Sequence, residues 1–139
     1  MPRLDIVDIM HDHQIQCFVQ RRIVDDDADA RSSSSFFLSM MGLEIKEYDS
    51  GQRFLDEDDM NRPGCIILDV RMPDMTGMEL QVKLNQKNCR LPIIFLSGHG
   101  ELDMAVHALK RGASDFLQKS AKPERLLAAV KKAVTASME

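Results

Sequence analysis

Five polar residues stand at or just after the ends of short apolar segments. They are Asp25, Asp26, Asp69, Ser97 and Lys119. An aspartate can act as a nucleophile towards a phosphoryl group and form an acyl phosphate. Neighbouring carboxylates suit a hard divalent cation, and Mg²⁺ accepts few of them while keeping waters for a phosphate. These residue types therefore suggest metal-assisted phosphoryl transfer, if the fold brings them together.

The apolar segments alternate with helical patterns along the chain. The predicted strands are a first strand that ends in IVDD, residues 23–26, followed by LEIKEY, CIILDV, PIIFLS and SDFLQK in residues 43–48, 65–70, 92–97 and 114–119. Helix signals follow each of them, such as Ser50 as an N-cap and Pro123 in a first turn. Five β-then-α units in series predict an α/β fold with a parallel sheet covered by helices on both faces. Ligands of such sheets bind outside the carboxyl ends of the strands, where the five polar residues would meet.

Asp69 is the favoured phosphoryl acceptor among the three carboxylates. The run before it is almost wholly apolar, which predicts a strand buried on both faces and a rigidly presented side chain. Mg²⁺ would supply one positive charge and Lys119 another, while Ser97 would donate a hydrogen bond to a phosphoryl oxygen. Each residue alone is more often a turn, cap or solvated residue. The full set at successive strand ends is what favours a phosphoryl site.

Composition restricts the class of protein. The chain has 139 residues, enough for one domain, and a net charge of -4 without a long basic run. Binding of nucleic acid through this chain is not expected, because it needs clustered lysine and arginine. The three cysteines lack paired spacing, which favours reduced thiols and a cytoplasmic location. No apolar run is long enough to span a membrane.

The first 22 residues fit the alternating pattern less well. Three aspartates share one side of a helical projection and allow a short lead helix: Asp5, Asp8 and Asp12. Arg21 and Arg22 interrupt the first strand, where buried charges are costly. Either the strand begins after them, or their side chains reach the end of the sheet. We therefore predict an N-terminal extension in residues 1–22, which holds part of the first strand, and a domain in residues 23–139.

Three motifs carry a family resemblance. VDDDADAR, LDVRMPDMTG and FLSGHGELDMAVHALKRGASDFLQK resemble the receiver domain of two-component response regulators. The resemblance covers roughly residues 23 to 134 and is greatest to receivers that precede a helix-turn-helix output domain. It implies a flavodoxin-like (βα)₅ doubly wound sheet with strand order 2-1-3-4-5.

The resemblance also assigns roles around the metal. Asp69 matches the phosphorylated aspartate. Asp26, Asp69 and the backbone carbonyl of Arg71 match direct Mg²⁺ ligands, and Asp25 matches the acid that holds the ion through water.

Further roles concern the response to phosphorylation. Ser97 matches the switch hydroxyl, Lys119 the phosphate-binding lysine, and Phe116 the aromatic residue that turns inward on activation. The family further implies a sensor histidine kinase as partner, homodimerisation through the fourth helix, fifth strand and fifth helix, and transcription regulation. The chain would be a phosphoacceptor switch that catalyses its own phosphorylation and dephosphorylation, rather than an enzyme. One departure is Ser120, which replaces the family's proline after the lysine.

Two alternatives remain open at the level of sequence. Aspartate-nucleophile phosphatases of the haloacid dehalogenase type also combine aspartate, a hydroxyl, lysine and Mg²⁺. They need a second aspartate two residues after the nucleophile, where this chain has Arg71. The other alternative is a degenerate receiver that acts only as a binding module.

Overall fold

The computed structural model describes residues 18–98 and 101–139, and the lead helix predicted around the first three aspartates lies outside them. Five parallel strands form one sheet in the order β2-β1-β3-β4-β5. They are β1 (Gln20–Val24), β2 (Ile45–Tyr48), β3 (Gly64–Asp69), β4 (Ile93–Ser97) and β5 (Asp115–Gln118). The predicted strand order and fold class are confirmed.

A helix follows each strand. The helices are α1 (Ala28–Met40), α2 (Gly51–Glu57), α3 (Gly77–Gln86), α4 (Leu102–Lys110) and α5 (Pro123–Ser137). The Ser50 hydroxyl accepts the backbone N–H of Arg53 at 3.1 Å, which is the predicted N-cap of α2. Pro123 occupies the first turn of α5 as predicted. Among the described residues, no helix is long and apolar enough to cross a bilayer.

Two apolar layers cover the faces of the sheet. Side chains of β3 alternate between them, with Ile66 and Leu68 in one layer and Ile67 in the other. The first layer includes residues of α2, α3 and α4, and the second includes residues of α1 and α5. All six residues of β3 are buried, so the central strand holds the Asp69 backbone firmly at its carboxyl end.

The first strand begins at Gln20, and both arginines lie inside it. Arg22 is fully buried, and its side chain reaches the amino end of the sheet. There its Nε donates to Oδ2 of Asp58 at 2.9 Å, and Nη1 donates to the carbonyl of Gln20 at 2.7 Å. Of the two sequence alternatives, a strand that starts after the arginines is therefore wrong. The side chain of Arg22 does reach the sheet's end.

Asp58 is the centre of this buried polar network. Its Oδ1 accepts the hydroxyl of Tyr48 and the side-chain amide of Gln20, both at 2.6 Å. Nη2 of Arg22 donates to the carbonyls of Asp59 and Arg62 at 2.9 and 3.0 Å. We call these residues the Arg22–Asp58 network. Because both charges are paired and hydrogen-bonded, these interactions offset the desolvation penalty of burying them.

Candidate phosphoryl and metal site

The predicted site residues meet at the carboxyl edge of the sheet. Asp69 and Ser97 are the last residues of β3 and β4, Asp25 follows β1, and Lys119 follows β5. Asp25, Asp69 and Ser97 are buried, whereas Asp26 is exposed. The parallel sheet brings them together because every strand delivers its carboxyl end to the same edge.

Lys119 bridges two of the carboxylates. Its Nζ lies 3.2 Å from Oδ2 of Asp25 and 3.3 Å from Oδ2 of Asp69. Partial burial lowers the pKa of Lys119, but the two carboxylates outweigh burial and the pKa is raised overall. The ammonium therefore stays charged at neutral pH and neutralises part of the site.

The turn after β5 positions this lysine despite the change to Ser120. The backbone N–H of Lys119 donates to the carbonyl of Ser97 at 2.7 Å, and that of Ala121 donates to Gln118 at 2.9 Å. The Lys119–Ser120 peptide bond is trans, as is every peptide bond between described residues. The ammonium thus reaches the carboxylates without a proline at position 120.

Three carboxylates form a candidate cation site. One oxygen from each of Asp25, Asp26 and Asp69 lies within 4.8 Å of the others. Burial, together with a hydrogen bond and the charge of Asp25, raises the pKa of Asp69 to about 7, although Lys119 and the Arg71 N–H oppose this. A divalent cation would relieve the repulsion between these groups. The all-oxygen donor set, with one exposed member, fits Mg²⁺.

The loop after β3 lies against the backbone of Asp69. The N–H of Gly77 donates to the carbonyl of Val70 at 3.0 Å. A Cβ at position 77 would lie 2.2 Å from the carbonyl oxygen of Asp69, so the close approach needs glycine. Sequence reasoning did not assign this role to Gly77, although its place between β3 and α3 could have suggested it.

Arg71 contacts the site through its backbone and a distant residue through its side chain. Its N–H donates to Oδ1 of Asp69 at 3.3 Å. Its Nε forms an ion pair with Glu101, which immediately precedes α4. Sequence reasoning did not single out Glu101, since nothing in the local pattern indicates its partner.

The two predicted switch residues, Ser97 and Phe116, lie on the neighbouring strands β4 and β5. The hydroxyl of Ser97 lies 3.3 Å from the carbonyl oxygen of Gly98. Phe116 is partly buried, and its ring centroid lies 5.8 Å from that of Phe95. Their predicted switch roles remain predictions.

This geometry agrees with comparisons to known proteins. The family model described as the response regulator receiver domain matches residues 22–131. The chain belongs to the response regulator receiver family. The recognition made from the three motifs is confirmed.

Two curated relatives are named as a transcriptional regulatory protein and a response regulator protein. The chain is 41% identical over 117 residues to the transcriptional regulatory protein TdiR of Thauera aromatica. This alignment covers 84% of the chain and 52% of TdiR. The chain is 44% identical over 112 residues to the response regulator protein TmoT of Ectopseudomonas mendocina, covering 81% and 51%. The receiver thus spans about half the length of these relatives.

Solved structures show the same architecture. The response regulator StyR superposes with a TM-score of 0.81 at 34% identity, covering 86% of this chain and 60% of that chain. The crystal structure of FixJ-N gives a TM-score of 0.78 at 37% identity, covering 84% and 93%. The receiver fold therefore spans most of the described residues.

Proposed function

We propose that this receiver is a phosphorylation-dependent switch that accepts a phosphoryl group on Asp69 from a sensor histidine kinase. The observation that supports it most is the placement of Lys119 between the carboxylates of Asp25 and Asp69, at 3.2 and 3.3 Å. A nucleophilic carboxylate beside a fixed ammonium and an acidic cation site has the parts that phosphoryl transfer needs.

In the proposed transfer, a carboxylate oxygen of Asp69 attacks the phosphorus of a phosphohistidine. A P–O bond forms, the P–N bond breaks, and the imidazole leaves with the electron pair. Asp25, Asp26, Asp69 and the carbonyl of Arg71 would hold Mg²⁺, which when bound offsets the charge on the phosphoryl oxygens. Lys119 offsets charge on another oxygen, and Ser97 donates a hydrogen bond to the third.

Dephosphorylation is a separate hydrolysis that needs no further protein. Water attacks the phosphorus of the acyl phosphate, a P–O bond to water forms, the P–O bond to Asp69 breaks, and inorganic phosphate and the Asp69 carboxylate are released. The same charged groups stabilise this step, so phosphorylation and dephosphorylation are both self-catalysed. We therefore propose that the receiver acts as a switch whose own phosphorylation state carries the signal, rather than as an enzyme dedicated to substrate turnover.

A groove lies beside Lys119. It has a volume of about 330 Å³, and its lining includes Ser33, Ser34 and Phe37 of α1 together with Pro123 at the start of α5. We propose that the kinase approaches Lys119 from this side.

Signalling beyond the site would depend on the segments that bind the new phosphate. Ser97 and Lys119 gain contacts that exist only in the phosphorylated state, which biases β4, α4 and β5 towards a second conformation. Phe116 turns inward as Ser97 moves, and the surface of α4, β5 and α5 then supports a homodimer. We further propose a cytoplasmic setting. We also propose transcription regulation through a helix-turn-helix output domain, since the relatives TdiR and TmoT are about twice as long as this chain. This chain itself would bind neither nucleic acid nor membrane.

The deciding experiment is intact mass measurement after incubation with Mg²⁺ and a small acyl phosphate donor. Wild type should gain one phosphoryl group, Asp69→Asn should gain none, and the exposed control Asp103→Asn should match wild type. Full labelling of Asp69→Asn would refute the acceptor assignment. Steady release of phosphate without a stable adduct would favour the phosphatase alternative, and no reaction would favour the degenerate receiver.

A further inference from the structure

The ion pair between Arg71 and Glu101 has unequal partners. The side chain of Arg71 is 73% exposed, whereas that of Glu101 is 1% exposed. Oε2 of Glu101 has no hydrogen-bond partner in the part of the chain that the structure describes. A buried, half-satisfied carboxylate is costly, so Glu101 depends strongly on this guanidinium.

The pair joins two segments that meet at the phosphoryl site. Arg71 lies in the loop after β3, and its N–H donates to the Asp69 carboxylate at 3.3 Å. Glu101 precedes α4 and lies four residues after Ser97, the last residue of β4. The ion pair therefore links the loop beside the phosphoacceptor to the segment that leads into α4.

The largely exposed side chain of Arg71 could move from Glu101 to another anion at this edge of the sheet. Arg31 is committed elsewhere, since it donates to the carbonyl of Asp25 at 2.6 Å and pairs with Glu47 at 3.3 Å. A phosphoryl group on Asp69 would replace one negative charge by about two. The planar guanidinium of arginine suits phosphate oxygens particularly well, so the phosphoryl group would compete with Glu101 for Arg71.

We propose that Glu101 is a positioning residue that holds the Arg71 guanidinium away from Asp69 before phosphorylation, and that the phosphoryl group then takes Arg71 from Glu101. This inference rests on the proposed function and adds a regulatory contact to the same site. Loss of its partner leaves Glu101 buried without a counter-charge, so the start of α4 must rearrange to hydrate it. The exchange thus connects the charge on Asp69 directly to the position of α4.

The test compares four proteins by their dependence on the concentration of a small dianionic acyl phosphate donor. They are wild type, Glu101→Gln, Arg71→Ala and the double variant that combines both substitutions. Asp103→Asn serves as an exposed acidic control on α4. In Glu101→Gln the freed guanidinium should attract the donor, so half-maximal rate should occur at a donor concentration about two- to fivefold lower. The shift should diminish at high salt, because a partly exposed charge is screened. Asp103→Asn should show no such shift.

The same substitution should have no effect without the arginine. The double variant should match Arg71→Ala, and Arg71→Lys should restore part of the Glu101→Gln shift. An equal shift in both backgrounds, or no shift at all while every variant is phosphorylated, would overturn the inference and leave the proposed function intact. Absence of phosphorylation in all proteins, wild type included, would overturn both.

Discussion

The ammonium nitrogen of Lys119 lies 3.3 Å from Oδ2 of Asp69, within a cluster that holds three carboxylates. One ammonium group cannot neutralise the charge of three carboxylates, and burial reduces their solvation by water. The pKa of Asp69 is consequently raised to about 7, with burial as the main cause and Asp25 as the second. We therefore expect Asp69, the proposed acceptor, to titrate close to neutral pH in the metal-free receiver.

We predict that Mg²⁺ affinity rises with pH and levels off above about pH 7. The raised pKa means that the folded protein retains the proton on Asp69 until neutral pH, and Mg²⁺ must displace it below that value. The affinity should fall by up to about tenfold per pH unit below pH 7. Calorimetric titration between about pH 5.5 and pH 8.5 measures this. Asp69→Asn should flatten the profile, and an equally steep profile in that variant would assign the proton to another group.

We predict that Mg²⁺ binding depends on Asp26 and not on Asp27. Asp26 contributes an oxygen to the carboxylate cluster. Asp27 instead caps α1, where its Oδ1 accepts the N–H groups of Asp29 and Ala30 at 3.0 and 3.2 Å. The Asp27→Asn variant would keep this cap, since asparagine and aspartate are equally good N-caps. Asp26→Asn should weaken Mg²⁺ binding by at least about tenfold, whereas Asp27→Asn should bind within about twofold of wild type. Equal losses would indicate a diffuse acidic surface.

We predict that Gly77→Ala disturbs the acceptor strand. The new methyl group would lie 2.2 Å from the carbonyl oxygen of Asp69, so the backbone of β3 or the start of α3 must move. Such overpacking typically costs about 1–3 kcal/mol, and phosphorylation should slow as Asp69 shifts. Gly51→Ala is the matched control, because its nearest neighbour, at 2.9 Å, is the flexible side chain of Met75. Urea unfolding and donor labelling should both show the larger loss at position 77.

We predict that Asp58→Ala is strongly destabilising although it lies far from the carboxylate cluster. It would leave Arg22 buried without its counter-charge and remove the acceptor of Tyr48 and Gln20. Breaking a buried ion pair costs about 3–5 kcal/mol. Asp56→Ala, which loses only an exposed contact with Gln52, should stay within about 0.5 kcal/mol of wild type. Similar unfolding midpoints for the two variants would show that the buried pair adds little.

We predict that a phosphoryl mimic on Asp69 changes hydrogen exchange in α4, β5 and α5. The N–H of Lys119 donates to the carbonyl of Ser97, so movement at either phosphate contact reaches both strand ends. β2 is the edge strand opposite β5, so β2 and the following α2 should exchange as before. Asp69→Asn should abolish the response. Changes confined to residues 18–40 would contradict the proposed switch surface.

Most of the fold was predictable because its signals are local. Apolar runs marked the strands, and the position of Asp69 at the end of an almost wholly apolar run made it the candidate acceptor, which remains a prediction. The start of β1 was less predictable, because Arg22 is accommodated by Asp58, which lies 36 residues away. The ion pair of Arg71 with Glu101 was missed for the same reason, since their partnership exists only after β3 and β4 are paired. The periodicity of apolar residues identifies helices and strands. Polar contacts between residues far apart in the sequence can be recognised only once the sheet is assembled.

The early start of β1 has a practical consequence for preparing fragments of this protein. The family match begins at Arg22, whereas the strand begins at Gln20. A recombinant fragment cut at the match would lack the Gln20 carbonyl that accepts from Arg22 and the amide that donates to Asp58. It would also lack the bond from the Gln20 N–H to the carbonyl of Pro63. Fragments intended for crystallisation or screening should therefore begin no later than Val19, since a shorter one removes residues of β1 that pair with Gly64 and Cys65 of β3.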